Sequence, residues 1–271
     1  MTGKLPLTSQ ERPFCLCIAG PNGSGKSTFT RILRRSFQID RWIDPDVIAK
    51  EIRDSRAPEH RNLTDQQASR LAFRTARNQR VQLAAELHDF GFETVFSHSS
   101  NLDFLVDLVQ IGYIVHIYFV CTEDFRINIG RVRNRVALGG HDVDDAAIQR
   151  RYFRSLKLLE LAVHSIYRIV LFDNSDTELF GARASCEIAN EGEWTRGFYR
   201  TRIEIDPQPH IPKWVMEVLQ NAYSRLDRGK PEIYEIGSKR ATPLSPENSL
   251  AYYRQMGPAK IMEHLRRHMM A

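Results

Sequence analysis

The chain has 271 residues, of which 42% are hydrophobic and 26% charged, with a formal net charge of +5. That balance fits a soluble globular protein with room for one large core, and it excludes a fibrous or disordered chain. The longest apolar run, "YIVHIYFVC", is strand-length and contains His116, so no membrane span is expected.

The N-terminal stretch "MTGKLPLTSQERP" lacks the apolar centre of a secretory signal, which points to the cytoplasm. Cys15, Cys17, Cys121 and Cys186 have no zinc-site spacing and are expected as free buried thiols. The first apolar run, "FCLCIAG" (14–20), reads as a buried strand, and a helix follows from about Lys26 to Ser36. "IDRWID" (39–44) reads as a short second strand. A long helix starts at the Thr64–Gln67 capping box, and Gly91 is expected to end it before a third strand, "FETVFS" (92–97). Leu102, Leu105, Val106 and Val109 have helical spacing, and Gly112 introduces the fourth strand, "YIVHIYFV". Another helix begins near Asp144 or Asp145, and "YRIVLFDNS" (167–175) is the fifth strand. Strands alternating with helices predict a parallel sheet with right-handed crossovers.

Beyond residue 175, "ARASCEIAN" and "FYRTRIEID" read as antiparallel edge strands, and Pro212 opens a helix carrying Trp214, Val218, Ala222 and Leu226. The Gly-, Pro- and Ser-rich stretch 229–246 reads as a linker or surface loop, and two short helices are expected after Pro246 and Pro258. The expected fold class is α/β, a parallel sheet of about five strands flanked by helices, with antiparallel edge strands and a helical C-terminal extension. The expected division is a core over 1–178 and an extension over 179–271 packed on it.

Between the first strand and its helix stands "GPNGSGKS", with Gly20, Gly25, Lys26 and Ser27 matching G-x-x-x-x-G-K-S/T. In that context the backbone N–H groups of Gly20, Pro21, Asn22, Gly23, Ser24, Gly25, Lys26, Ser27 and Thr28, proline excepted, can fold around phosphate oxygens. Lys26 would neutralise the β/γ oxygens and Ser27 would offer its hydroxyl to Mg²⁺. Motor and switch nucleotidases usually carry an acid at the end of a hydrophobic strand; the fourth strand ends in Cys121 instead. Asp44, Asp46 and Glu93 lie at the carboxyl ends of the second and third strands, facing the crevice of an open parallel sheet. One of them could take a proton from an acceptor hydroxyl, although Asp44 could equally cap the next helix and Glu93 pair with an arginine.

Arginines concentrate in two stretches, 53–80 and 126–154. The second holds Arg126, Arg131, Arg133, Arg135, Arg150, Arg151 and Arg154, where a lid over the phosphates would lie (about 126–155). Arg131 and Arg135 are four residues apart and share a helix face. Anionic nucleotides account for this basic stretch, so a nucleic-acid partner is not expected.

With these residues placed, the sequence resembles the zeta toxin family of P-loop kinases over about residues 13–178. The likeness is carried in order by "AGPNGSGKST", "IDPD", "FETVFS", "GYIVHIYFV", "RVRNRVALGGHDVDDAAIQRRYFRSL" and "LFDNS". It implies a P-loop kinase fold and transfer of the γ-phosphate of ATP or GTP, with Mg²⁺, to a hydroxyl of UDP-N-acetylglucosamine. It also implies a possible antitoxin partner. Under it Lys26 is the phosphate-loop lysine, Ser27 the Mg²⁺ ligand and Asp46 the catalytic base. Asp44, Glu93 and Thr94 are substrate-binding, and Arg135 with one of Arg150 or Arg151 contacts the transferring phosphate. Asp44 stands where relatives often carry Asn, which leaves two candidate bases, and Asp144 replaces a frequent Pro. A nucleoside or polynucleotide kinase is the alternative enzyme, and a non-catalytic nucleotide-binding module the alternative of another class.

Overall fold

The computed structural model describes residues 12–37, 39–55, 57, 60, 63–140, 142–176, 183–193, 198–205, 212–224 and 236–240. β1 (Phe14–Ala19) is buried at all six positions, as a central parallel strand covered on both faces must be. α1 (Lys26–Phe37) follows the glycine-rich loop, and β2 (Trp42–Ile43) leads to α2 (Pro45–Asp54). Asp44 caps α2 by accepting from the Asp46 N–H at 2.9 Å, and Pro45 presets the first helical φ. α3 (Asp65–Ala85) begins with the full Thr64–Gln67 capping box. β3 (Phe90–Thr94), α4 (Ser99–Gln110) and β4 (Ile114–Cys121) come next. α5 (Phe125–Ala137) and α6 (Asp145–Ala162) are capped by Asp124 and Asp144, and β5 (Arg168–Asp173) completes the parallel part.

β6 (Arg183–Glu193) and β7 (Phe198–Ile205) add antiparallel strands, α7 (Lys213–Ser224) follows, and β8 (Ile236–Arg240) forms the edge. The sheet order is β2-β3-β1-β4-β5-β6-β7-β8, parallel from β2 to β5 and antiparallel beyond. β1 therefore lies between β3 and β4, and the loop at its carboxyl end opens at the switch point where such sheets bind ligands. No helix among the described residues is long and apolar enough to cross a membrane. All four cysteines are free and buried.

Two expectations are corrected. Gly91 does not end the long helix; α3 stops at Ala85, Leu87 turns the chain at φ 55°, and β3 already begins at Phe90. Gly91 lies within β3, paired with Leu16 and Trp42, and the position takes glycine because a Cβ there would stand 2.1 Å from the Trp42 ring. The stretch 229–246 is not simply a linker, since Ile236–Arg240 pairs with β7. Pairing with an unfilled edge outweighs a loop-like composition. The helices expected after Pro246 and Pro258 lie outside the described residues.

α7 is anchored in the main core. Trp214 is 2% exposed, its ring centroid lies 6.1 Å from that of Phe119, and its indole N–H donates to Asp173 Oδ1 at 2.8 Å. Asn221 donates to Glu160 at 2.9 Å and His164 meets the Ala222 carbonyl at 3.1 Å. Trp214→Ala should cost about 3–5 kcal/mol and lower Tm by on the order of 10 °C in a thermal melt. Trp214→Phe, losing chiefly the hydrogen bond, should cost only about 1–2 kcal/mol. Equal melting of Trp214→Ala and the wild type would detach α7 from the core.

Candidate active site

The loop from Gly20 to Gly25 is fixed from behind by two asparagines. Asn128, fully buried on α5, donates to the Asn22 carbonyl at 2.7 Å, and its amide oxygen accepts from Thr122. Asn174, just after β5, donates to the Ser24 carbonyl at 2.8 Å. Their closeness dictates the glycines. A Cβ on Gly23 (φ 77°) would sit 2.4 Å from the Asn128 carbonyl oxygen, and one on Gly25 (φ 95°) 2.3 Å from Asn174 Nδ2. The first amides of α1 have no helical acceptor, so the helix start presents N–H groups and a positive dipole to this end of the cleft.

The loop forms one wall of a cavity of about 1410 Å³. Lys26, Ser27 and Thr28 line it, as do Asp44 and Asp46 from the β2–α2 junction and Glu93 and Thr94 from β3. Arg131 and Arg135 of α5 and Arg151 of α6 line it as well. Arg150 does not; it is exposed elsewhere on α6. Arg151 reaches the loop itself, donating to Asn22 Oδ1 at 3.2 Å.

Each acid occupies a distinct state. Asp44 is committed to its helix cap. Asp46, on the exposed first turn of α2, makes no side-chain hydrogen bond among the described residues. Glu93 accepts from the Ser27 hydroxyl at 3.1 Å instead of pairing with an arginine. Burial pushes its carboxyl pKa up, against the pull of Thr30, Lys26 and Ser27. Thr94 holds the turn beyond β3, accepting from the Phe96 N–H at 3.1 Å while Phe96 takes φ 55°. Lys26 donates to the Pro21 carbonyl at 2.9 Å. Burial lowers its pKa to about 8, with Glu93 and Asp46 raising it and Arg135 lowering it.

The family model described as Zeta toxin matches residues 1–184. The chain belongs to the zeta toxin family. A Haemophilus influenzae protein, described as an uncharacterized protein, is 31% identical over 136 residues, or 49% of this chain and 88% of that one. Among solved structures, the AvrRxo1-ORF1:-ORF2 complex with ATP is similar at TM-score 0.52 and 11% identity, over 96% of this chain and 81% of its own. The PezAT chromosomal toxin–antitoxin system of Streptococcus pneumoniae is similar at TM-score 0.43 and 18% identity, over 61% of this chain and 69% of its own. The AvrRxo1 likeness is one of fold, and it runs well past residue 184, where the family match stops. Family and fold together make this zeta toxin relative a P-loop kinase-like phosphotransferase.

The residues least visible in the sequence are Asn128 and Asn174. They act on the loop from 106 and 150 residues away, and only "LFDNS" carried a signal, for Asn174. Bound phosphates would raise the Lys26 pKa again, so nucleotide binding takes up a proton above pH 8. Affinity for a non-hydrolysable ATP analogue should therefore be full below about pH 8. It should fall by up to about tenfold per pH unit above that, until the pKa of the complex is reached. Calorimetric titration across this range checks it, and Lys26→Met should bind weakly with a flat profile.

Proposed function

We propose that the protein is a Mg²⁺- and ATP-dependent small-molecule kinase acting on a hydroxyl of UDP-N-acetylglucosamine or a related sugar nucleotide, with GTP as an alternative donor. The observation that carries this reading is the cavity lined by the phosphate loop, an uncommitted carboxylate at Asp46, and Arg131, Arg135 and Arg151 of α5 and α6. Phosphoryl transfer asks for little else, since positioning and charge stabilisation supply most of its catalysis.

The loop amides and Lys26 hold the β- and γ-phosphates. Asp46 takes the acceptor hydroxyl's proton as that oxygen forms its bond to the γ-phosphorus, and the bond from γ-phosphorus to the β,γ-bridging oxygen breaks to release ADP. Asp46 is favoured over Asp44 as base because Asp44 already accepts from a backbone N–H. Arg135 and Arg151 line the cavity and Arg150 does not, which favours Arg151 as the second phosphate-facing arginine. Arg131, whose Nη1 is buried without an acceptor among the described residues, joins them. Thr94 and Glu93 face the acceptor side.

The oxygen donors at Ser27 and Glu93 suit Mg²⁺, which prefers hard oxygen ligands and keeps several waters. When bound it neutralises charge on the phosphate oxygens. The core over 1–178 carries this chemistry in our reading, with 179–271 as its extension. The PezAT and AvrRxo1 structures are of two-component assemblies, which motivates an antitoxin partner here. No feature of the cavity calls for a nucleic acid, and a cytoplasmic location fits the reading.

Asp46→Asn tests the base. Its kcat should fall at least about 100-fold, the ordinary worth of a general base. The affinity for ATP should stay within about twofold, because base and nucleotide contacts are separate. Unchanged turnover would reassign the base.

A further inference from the structure

The second arginine-rich stretch supplies Arg131, Arg135 and Arg151 to the donor side of the cavity; of the first, 53–80, Arg53 and Arg80 also line the cavity and have no role in that reading. The last member of that first stretch, Arg80, sits where a surface charge would not. On α3, Asp65, Ser69, Phe73, Ala76 and Arg80 recur at helical spacing and together form one wall of the cavity. This wall is distinct from the loop, α5 and α6, which bring Lys26, Arg131, Arg135 and Arg151. The cavity volume of about 1410 Å³ also exceeds the roughly 300–1,000 Å³ of a single small-molecule site, so there is room for two substrates.

The Arg80 guanidinium lies over two aromatic rings, its central carbon 4.6 Å from the Phe92 ring centroid and 5.4 Å from that of Phe104. Its Nε is buried and has no acceptor. No hydrogen bond or ion pair to any described residue satisfies the rest of the fork. The charges it feels are those of the buried Cys15 and Cys17 thiols, which burial keeps protonated, and of Arg77, a like charge. No carboxylate is among them. Burial accordingly pushes its pKa down to about 10. Arg80 as a whole is half-buried, and only its Nε is buried without a partner, so the Nη edge of the fork is open to the cavity it lines. A guanidinium offers five donors in a rigid plane, and a buried one left unpaired is unfavourable. Stacking on Phe92 and Phe104 offsets only part of that cost. What would satisfy the group is an oxyanion entering from the cavity, bound through two parallel N–H···O bonds.

We propose that Arg80 is the anion-recognising residue of the acceptor half of the cavity, selecting acceptors that carry a phosphate or diphosphate. This rests on the kinase reading above for the word acceptor, but not for the anion site itself. Phe73, 61% exposed on the same wall, offers an aromatic face to the remainder of such a molecule.

The test uses the full chain with its nucleotide site filled by a non-hydrolysable ATP analogue and Mg²⁺, titrated with inorganic pyrophosphate in a calorimeter. Wild type should bind pyrophosphate; Arg80→Met should bind at least about tenfold more weakly, and Arg80→Lys should fall between, keeping charge but losing the fork. Affinity for the ATP analogue should be the same in all three. Arg80→Met should melt no lower than wild type, because an unpaired buried charge is replaced by an apolar chain. A purely structural arginine would give the opposite pattern, a lower Tm with unchanged pyrophosphate binding. The proposal is overturned by wild type that does not bind pyrophosphate, or by an Arg80→Met variant that binds it as wild type does. It is equally overturned by a matching loss of ATP-analogue affinity, which would place Arg80 on the donor side. If Arg80→Met does not fold, Arg80→Lys carries the comparison. Failure of the kinase reading shows up elsewhere, as no acceptor-dependent release of ADP, and leaves these binding curves as they are.

Discussion

Two side-chain amides, those of Asn128 and Asn174, set the shape on which the rest of the site depends. Each donates to a carbonyl of the phosphate loop, Asn22 and Ser24 respectively, and so turns those oxygens to the rear. A loop whose carbonyls are held back is left with N–H groups to offer an anion, which is the requirement for cradling phosphate. The cost of the arrangement falls on the sequence. The Asn128 backbone carbonyl and the Asn174 amide approach so closely that Gly23 and Gly25 respectively have no room for a Cβ. Glycine at these positions thus answers to the support behind the loop as much as to a phosphate in front of it.

The support is itself held by the sheet. Asn128 belongs to a helix whose cap, Asp124, follows β4, and Asn174 follows β5 directly. Asp173 accepts from Ser175 and from the Trp214 indole, and Ser175 accepts in turn from the Glu123 N–H. The carboxyl ends of β4 and β5, the loop buttress and the packing of α7 therefore form one hydrogen-bonded unit. Through it α7, distant in sequence from the loop, is tied by hydrogen bonds to the strand ends that carry the loop's buttress. That fits a fold likeness which continues past residue 184, where the family match stops.

Much of this was legible in the chain. The phosphate loop could be read because its residues are contiguous and lie between a six-residue apolar strand and a helix start. Asp44 and Glu93 could be placed because strand ends in a parallel sheet face a common crevice. Other features depend on distances no local pattern encodes. Arg150 and Arg151 are adjacent in sequence, and only the rotational phase of α6 turns Arg151 onto the loop. Asp44 and Asp46 look equivalent until the α2 cap consumes one of them. Gly91 reads as a helix stop because nothing local reveals that the Trp42 ring lies over it. Nothing in the sequence singles out Arg80 among the arginines of 53–80, because its packing against Phe92 and Phe104 is tertiary.

The cavity holds charges of both signs. Lys26, Arg131, Arg135 and Arg151 come from the loop, α5 and α6, Asp44, Asp46 and Glu93 from the ends of β2 and β3, Asp142 and Asp144 from the stretch before α6, and Arg53, Asp65 and Arg80 from α2 and α3. Such an arrangement suits moving a phosphoryl group between two bound molecules better than releasing it to water. The most direct measurement is mass spectrometry of a small-molecule extract, doped with UDP-N-acetylglucosamine and incubated with the protein and MgATP. The account predicts that a sugar nucleotide or closely related species gains one phosphoryl group while ADP accumulates in step with it. ADP accumulating with no phosphorylated product, or no ADP at all, would contradict it.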